Sequence, residues 1–168
     1  GEMAQLTGSN LGTGRTATAI AAGKSHTCAI LDNASVKCWG RNNYGNLGID
    51  NTTDMGKTSG SMAVLPSIDL GTGRTATAIA AGFYHSCAIL DNASVKCWGK
   101  NGRGQLGIDS VHLKGNVPGA MAALAAINFD TGGTATATAP VERLYCGLLD
   151  NASVKSWGED GHEEPFND

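Results

Sequence analysis

One thirteen-residue stretch limits what this chain can fold into more than any other feature. The sequence CAILDNASVKCWG runs from Cys28 to Gly40, recurs unchanged from Cys87 to Gly99, and returns altered as CGLLDNASVKSWG from Cys146 to Gly158, each copy 59 residues after the last. Repetition at a fixed period of this length is the signature of solenoids, arrays and propellers, in which each repeat covers the apolar face of its neighbour. Inside each copy, apolar residues alternate on both sides of a short Asp-Asn-Ala segment, so the stretch predicts a β-hairpin. The chain divides accordingly into repeats 1–59, 60–118 and 119–168, read as a single repeat domain spanning 1–168.

Composition supports an all-β reading. Among 168 residues there are 24 glycines against three each of Trp, Tyr and Phe, a balance suited to short strands and tight turns rather than bulky helices. The net charge of -3, spread without runs, lacks the cationic footprint of a protein that neutralises phosphates, so nucleic acid is not expected as a partner. No apolar run approaches bilayer length, and no membrane partner is expected. No basic-then-apolar leader opens the sequence, so any secretion signal has been removed or lies outside it.

Each repeat opens on a Gly-x-Met-Ala segment at Gly1, Gly60 and Gly119. The second continues through Leu65, Pro66 and Ile68 and is read as an outermost strand, where proline's missing donor is tolerated. LGTGRTATAIAAG, identical at 11–23 and 70–82, gives a glycine turn followed by alternating Thr and Ala. Small side chains suit a strand where several sheets converge, so this strand is placed nearest a common axis; glycine boundaries and threonine alternation oppose an alanine-rich helix. The hairpin strands follow, His26–Leu31 and Ser35–Trp39, joined by a three-residue loop whose last position, Ala34, should be left-handed. That register sets Ile30 against Val36 and Cys28 against Cys38, and likewise Cys87 against Cys97. The polar, glycine-rich stretches 41–50 and 100–109 read as loops crossing to the next sheet.

These residues resemble the repeats of the regulator of chromosome condensation family. The first copy carries Ala22, Gly23, His26, Thr27, Cys28, Trp39, Gly40, Asn42, Gly45, Leu47 and Gly48; the second carries Ala81, Gly82, His85, Ser86, Trp98, Gly99, Asn101, Gly104, Gln105, Leu106 and Gly107. The third departs, with Val141, Leu144 and Ser156 at the glycine, histidine and cysteine positions and a closing loop EDGHEEPFND. The resemblance implies a β-propeller of four-stranded antiparallel blades used as a protein-binding platform. Members close rings of about seven blades, so three sheets form a partial propeller. Guanine nucleotide exchange, known for the family's best-known member, is an analogy whose functional residues cannot be placed on this sequence.

Facing cysteines allow two readings: disulfides Cys28–Cys38 and Cys87–Cys97, pointing to an extracellular or periplasmic location, or reduced thiols packed as small hydrophobes. Cys146 has lost its partner to Ser156. His26, Cys28 and Cys38 project from one hairpin face, as do His85, Cys87 and Cys97, which is a zinc-type donor set lacking a fourth ligand. A zinc-binding or enzymatic propeller is therefore the alternative reading, and hydrogen bonding to a neighbouring blade's backbone is the other role open to the histidines. Asp50 and Asp54 lack the spacing of a calcium loop and read as turn residues. Asn33, Asn92 and Asn151 open glycosylation sequons that coincide with the hairpin turns.

No nucleophile elbow, phosphate loop or isolated carboxylate pair stands out, so no enzyme activity and no cofactor are expected. Repeats differ mainly at loop positions, Lys24 and Ser25 against Phe83 and Tyr84, and Asn43 and Tyr44 against Gly102 and Arg103. Variation at loop tips on a constant scaffold reads as a recognition surface, with Tyr44, Phe83, Tyr84 and Arg103 as the residues expected to meet a protein partner. Trp39 and Trp98 are expected to be buried between blades. Three blades leave apolar faces at both ends, so a homodimer completing a six-bladed ring is expected, with the tail Glu159–Asp168 as a capping alternative.

Overall fold

The structure, a computed structural model, describes residues 9–58, 60–129, 133–140 and 144–158. Nine strands form three antiparallel sheets of identical order among the described residues. The first holds β1 (Ala17–Ala22), β2 (His26–Leu31) and β3 (Val36–Gly40); the second holds β4 (Ala76–Ala81), β5 (His85–Leu90) and β6 (Val95–Gly99). The third holds β7 (Ala135–Pro140), β8 (Leu144–Leu149) and β9 (Val154–Gly158). The all-β, blade-like reading holds, and β4 packs on β1 and β2 while β7 packs on β4 and β5, so the Thr/Ala strands do lie side by side.

The hairpin has the predicted register. Ile30 faces Val36 and Cys28 faces Cys38. Leu31 N–H donates to Ser35 O at 2.9 Å. In an antiparallel ladder, pairs alternate between hydrogen-bonded and closer, non-bonded ones, so counting from Leu31–Ser35 puts Cys28–Cys38 in the closer class. Their Cα atoms are 4.1 Å apart. Ala34, Ala93 and Ala152 close the loops at φ 59°, 61° and 63°, a conformation that costs a non-glycine residue about 1 kcal/mol. Asn33 repays part of this locally, since its Oδ1 accepts the Ser35 N–H at 3.3 Å and hydroxyl at 2.8 Å. The same turn recurs at Asn92 and Asn151, giving the sequon asparagines the expected turn role.

The inner strand contains a device absent from the sequence reading. Ala17 pairs with Leu31 but Ala19 pairs with Ile30, so Thr18 is the extra residue of a bulge. Its hydroxyl donates to Ile30 O at 3.2 Å, and Thr77 and Thr136 do the same to Ile89 O and Leu148 O. Threonine is favoured there because its hydroxyl occupies a carbonyl that the interrupted ladder exposes.

Among the described residues each sheet has three strands, without the fourth expected of a blade. The stretch expected as an outermost strand begins in turns, Ala63 N–H donating to Gly60 O and Leu65 N–H to Met62 O, with Gly60 at φ 80°. Leu65 turns inward and is buried. Pairing to β3 is reduced to a bridge between Gly40 and Met55 and one bond from Ile68 N–H to Val36 O at 2.9 Å. Burying Met62, Leu65 and Ile68 from one short segment requires turns, which a straight strand with alternating faces does not supply.

The core lies between sheets. One cluster joins Cys28, Ile30, Val36 and Cys38 of the first sheet to Ala88, Leu90 and Trp98 of the second. Another joins Cys87, Ile89, Val95 and Cys97 to Ala135, Tyr145 and Leu149 of the third. The outward faces are open: Ile20 is 69% exposed on the first sheet, and Leu148 and Val154 are 43% and 64% exposed on the third. Val141 and the tail Glu159–Asp168, including the expected cap, lie outside the described residues.

Candidate interaction site

The two junctions between sheets are built by the same residues. In the loop after β3, Asn42 Oδ1 accepts the Leu47 N–H at 2.9 Å while its amide donates to Asn51 O, and Asn101 repeats this with Leu106 and Ser110. The loop so folded presents a backbone carbonyl and a bare glycine to the following sheet. Trp98 fits there: its indole N–H donates to Asn46 O at 3.1 Å and its ring covers Gly48, where a Cβ would lie 2.7 Å from the indole nitrogen. Trp157 repeats the contact with Gln105 O at 3.0 Å and Gly107. Trp98 is buried, as expected, but Trp39 is half-buried, because no preceding sheet among the described residues offers it a loop; it packs instead with Leu11 and Met62.

Histidine serves the same junction. His26 Nε2 lies 2.8 Å from the Ser86 hydroxyl on the next sheet, and that hydroxyl also donates to Asn46 O at 3.0 Å. With the hydroxyl proton spent on the carbonyl, the hydrogen-bond network assigns the imidazole proton to Nε2. The expected backbone partner is thus replaced by a hydroxyl that relays to backbone. In the second junction Tyr145 stands where Ser86 stood, and His85 packs edge-on against it at 5.1 Å. Neither His85 nitrogen nor the Tyr145 hydroxyl has a hydrogen-bond partner among the described residues. Burial pushes His26 and His85 down from 6.5 to about 4; at His85, repulsion from a protonated His26 and from the Lys100 cation adds to the effect. Both rings are neutral at physiological pH.

The zinc alternative is not favoured. Cys28 and Cys38 sit at disulfide distance from each other, as do Cys87 and Cys97, which commits the sulfurs that the donor set needs. Among the described residues no three His, Cys, Asp or Glu side chains converge. Two such pairs are compatible with an oxidising environment. Cys146 is free and faces the Ser156 hydroxyl at 3.3 Å.

At one end of the sheets, the β1–β2 and β4–β5 turns and the loop after β3 bring aromatic and cationic side chains together. Tyr44 and Tyr84 meet at 5.0 Å, and Phe83 stands edge-on to Tyr84 at 6.4 Å. Lys24 Nζ lies 4.9 Å from the Phe83 ring centre and 5.5 Å from that of Tyr84; Lys100 Nζ lies 5.2 Å from Tyr44 and 5.5 Å from Tyr84. Each such contact contributes on the order of 0.5–1 kcal/mol at an exposed site. Three of the four residues singled out from sequence, Tyr44, Phe83 and Tyr84, therefore form one cluster. Arg103 is exposed on the adjoining loop, its backbone N–H donating to Gln105 Oε1 at 2.8 Å. The sequence reading missed the two lysines, although a signal existed: Lys24 and Phe83 are the same position in successive repeats, and a propeller sets such positions side by side.

Asp50 was also misjudged as a solvated turn residue. Its carboxylate accepts the Gly119 N–H at 3.0 Å and the Met121 N–H at 2.9 Å, pinning the segment between the second and third sheets onto the first junction.

Comparison with known proteins agrees with this architecture. The family model described as "Regulator of chromosome condensation (RCC1) repeat" matches residues 17–46 and 76–105. The human protein named probable E3 ubiquitin-protein ligase HERC6 is 32% identical over 89 residues, which is 53% of this chain and 8% of that protein. Among solved structures, human WBSCR16 superposes with a TM-score of 0.69 at 17% identity, over 88% of this chain and 35% of that one. Yeast RCC1 (Prp20), solved bound to Kap60, superposes with a TM-score of 0.65 at 22% identity, over 85% of this chain and 32% of that one. The chain thus spans about a third of these propellers and under a tenth of the human curated relative. Residues 17–46 and 76–105 match the RCC1 repeat, the three sheets follow known propellers, and the junctions reuse the histidine, tryptophan and Leu-Gly positions, so the chain has the fold of RCC1-like β-propellers and is similar to them in two of its repeats.

Proposed function

We propose that this chain is a non-catalytic protein-interaction module whose partner docks on the end that carries Lys24, Tyr44, Phe83, Tyr84 and Lys100. The cluster is the observation that carries the reading. It joins loops of two sheets into one surface, and aromatic rings beside cations supply large contact area at low entropic cost. Lys24 and Lys100 form no salt bridge among the described residues, so both charges remain available to a partner. The partner this surface fits is an acidic polypeptide segment with an apolar side chain to set against the rings; Arg41 and Arg103 on the same loops extend the positive field. The yeast RCC1 structure bound to Kap60 supports protein binding as the use of this fold. Oxidised cysteine pairs would place the module outside the cell or in the periplasm.

The test is a panel of fluorescent peptides, acidic, neutral and basic, each with and without a central leucine, titrated by polarisation. The acidic leucine-bearing peptides should bind best, lose affinity at least tenfold when Tyr84 and Lys100 are both changed to alanine, and weaken as salt rises. Equal response across the panel, or binding indifferent to the double substitution, refutes the assignment.

A further inference from the structure

Each hairpin turn carries the triplet Asn-Ala-Ser, opening at Asn33, Asn92 and Asn151. The turn uses only half of each asparagine side chain. In the central sheet, Asn92 Oδ1 accepts the Ser94 N–H at 3.2 Å and the Ser94 hydroxyl at 2.7 Å, while its Nδ2 makes no hydrogen bond among the described residues. Asn33 and Asn151 repeat this, with Oδ1 taken up by the serine two residues on and the amide nitrogen left over. All three asparagines are exposed. At Asn92 that exposure persists although the central sheet has a neighbour packed on either side. The turn beside it is open as well: Arg74 pairs with Asp91 at 3.3 Å, which sets the two turns together, and a Cβ built on Gly73 would meet nothing within 4 Å.

A fourth triplet of the form Asn-x-Ser/Thr, Asn51-Thr52-Thr53, supplies the contrast. Its Nδ2 donates to Ile49 O at 3.0 Å and its Oδ1 accepts the Thr53 N–H at 2.8 Å. Both polar atoms of that side chain therefore brace the loop after β3, whose Asn42 amide in turn donates to Asn51 O at 2.8 Å. The free amide nitrogen belongs to the hairpin turns and not to the triplet as such.

We propose that Asn33, Asn92 and Asn151 are acceptor sites for N-linked oligosaccharide, one on the hairpin turn of each sheet. Asn-x-Ser with a residue other than proline at its centre is the triplet that such transfer requires, and it is used on surface loops. The co-reactant is a polyprenyl-diphosphate oligosaccharide, brought by an oligosaccharyltransferase. Nδ2 attacks the anomeric carbon, and a C–N bond forms as the bond from that carbon to the diphosphate oxygen breaks. The diphosphate leaves with the electron pair, and one amide proton passes to a base of the transferase. The turn gives up nothing, since Oδ1 continues to accept the serine groups. The facing cysteine pairs, at disulfide distance, suit the oxidising compartments through which secreted chains pass. The β2–β3 and β5–β6 turns also lie at the opposite end of the strands from the turns bearing Lys24, Phe83 and Tyr84, roughly 20 Å away along a six-residue strand. Glycans there coat one end of the sheets and leave the aromatic end uncovered, and the assignment stands whether or not that end binds a partner.

The test carries the full chain into the secretory pathway of a glycosylating eukaryotic host behind a cleavable leader and recovers it from cells and medium together. Peptide-N-glycosidase should lower its mass by three glycans and leave Asp at 33, 92 and 151. Asn33→Asp, Asn92→Asp and Asn151→Asp each keep an oxygen for the serine to bond and remove only the acceptor nitrogen. Each should therefore lose one glycan while its deglycosylated form melts with the deglycosylated parent, and the triple variant should lose all three. An unchanged mass after glycosidase treatment of the parent overturns the proposal. Sugar confined to Asn51 overturns it too, because the triplet would then be chosen without regard to the free amide of the turn. A mass loss undiminished in the triple variant overturns it equally.

Discussion

Lowering the pH should destabilise this protein well before its carboxylates titrate, and the two junction histidines set the size of the effect. Folded, His26 and His85 titrate near 4; unfolded, each reverts to about 6.5. Between those values the unfolded chain binds more protons, so the contribution is fully present above pH 6.5 and is lost progressively as pH falls toward 4. For one such group the loss at pH 5 is RT ln[(1 + 10^1.5)/(1 + 10^-1)], about 2 kcal/mol, and about 4 kcal/mol for the pair. That is a large part of the roughly 5–15 kcal/mol that stabilises a domain. Urea melts at pH 7.5 and 5.0, followed by tryptophan fluorescence, should differ in midpoint by about 2 M if the slope is near 2 kcal/mol/M. Asp54 and Asp150, both held below the ordinary carboxylate range by hydrogen bonds, take up protons only at lower pH, so they leave this window to the imidazoles. A chain with His26→Asn and His85→Asn should flatten the dependence. Identical midpoints at the two pH values in the parent, or an undiminished shift in the double variant, would refute the assignment of neutral, desolvated histidines.

Trp98→Ala should cost about 3–5 kcal/mol, and Trp39→Ala clearly less because Trp39 is half-buried; equal losses in thermal melts would contradict the junction geometry. Gly48→Ala sets a methyl 2.7 Å from the Trp98 ring at φ 64°, whereas Gly104→Ala meets open space, so the first should lower the melting temperature by several degrees more than the second. Alkylation of denatured, unreduced protein should label one thiol, Cys146; five labelled thiols would show that the facing pairs are reduced. Loss of either disulfide should cost about 2–3 kcal/mol by the chain-entropy estimate for so short a loop.

The hairpins, their register and the facing cysteines were legible because they depend on neighbours ten residues apart or fewer, where alternation and turn chemistry leave one pairing. Legible too was the left-handed loop alanine, since a three-residue hairpin loop demands that conformation whatever residue occupies it. The recognition cluster was legible by halves: Tyr44, Phe83 and Tyr84 stood out as loop differences, but Lys100 did not, because its meeting with Tyr44 depends on how two loops 59 residues apart are laid together. The outer strand failed for a related reason. Pro66 within Met62–Leu70 suggested an outermost strand, yet the segment's apolar residues serve two different clusters, and reaching both bends it into turns. Asp50 looked like any polar turn residue until Gly119 and Met121 were seen on its carboxylate. What the amino-acid sequence determined by itself was the blade, a unit written in local periodicity. The junction between blades was decided by tertiary structure alone: the pairing of tryptophan with a carbonyl and a bare glycine joins residues some fifty positions apart, and packing at that separation leaves no periodic trace in the chain.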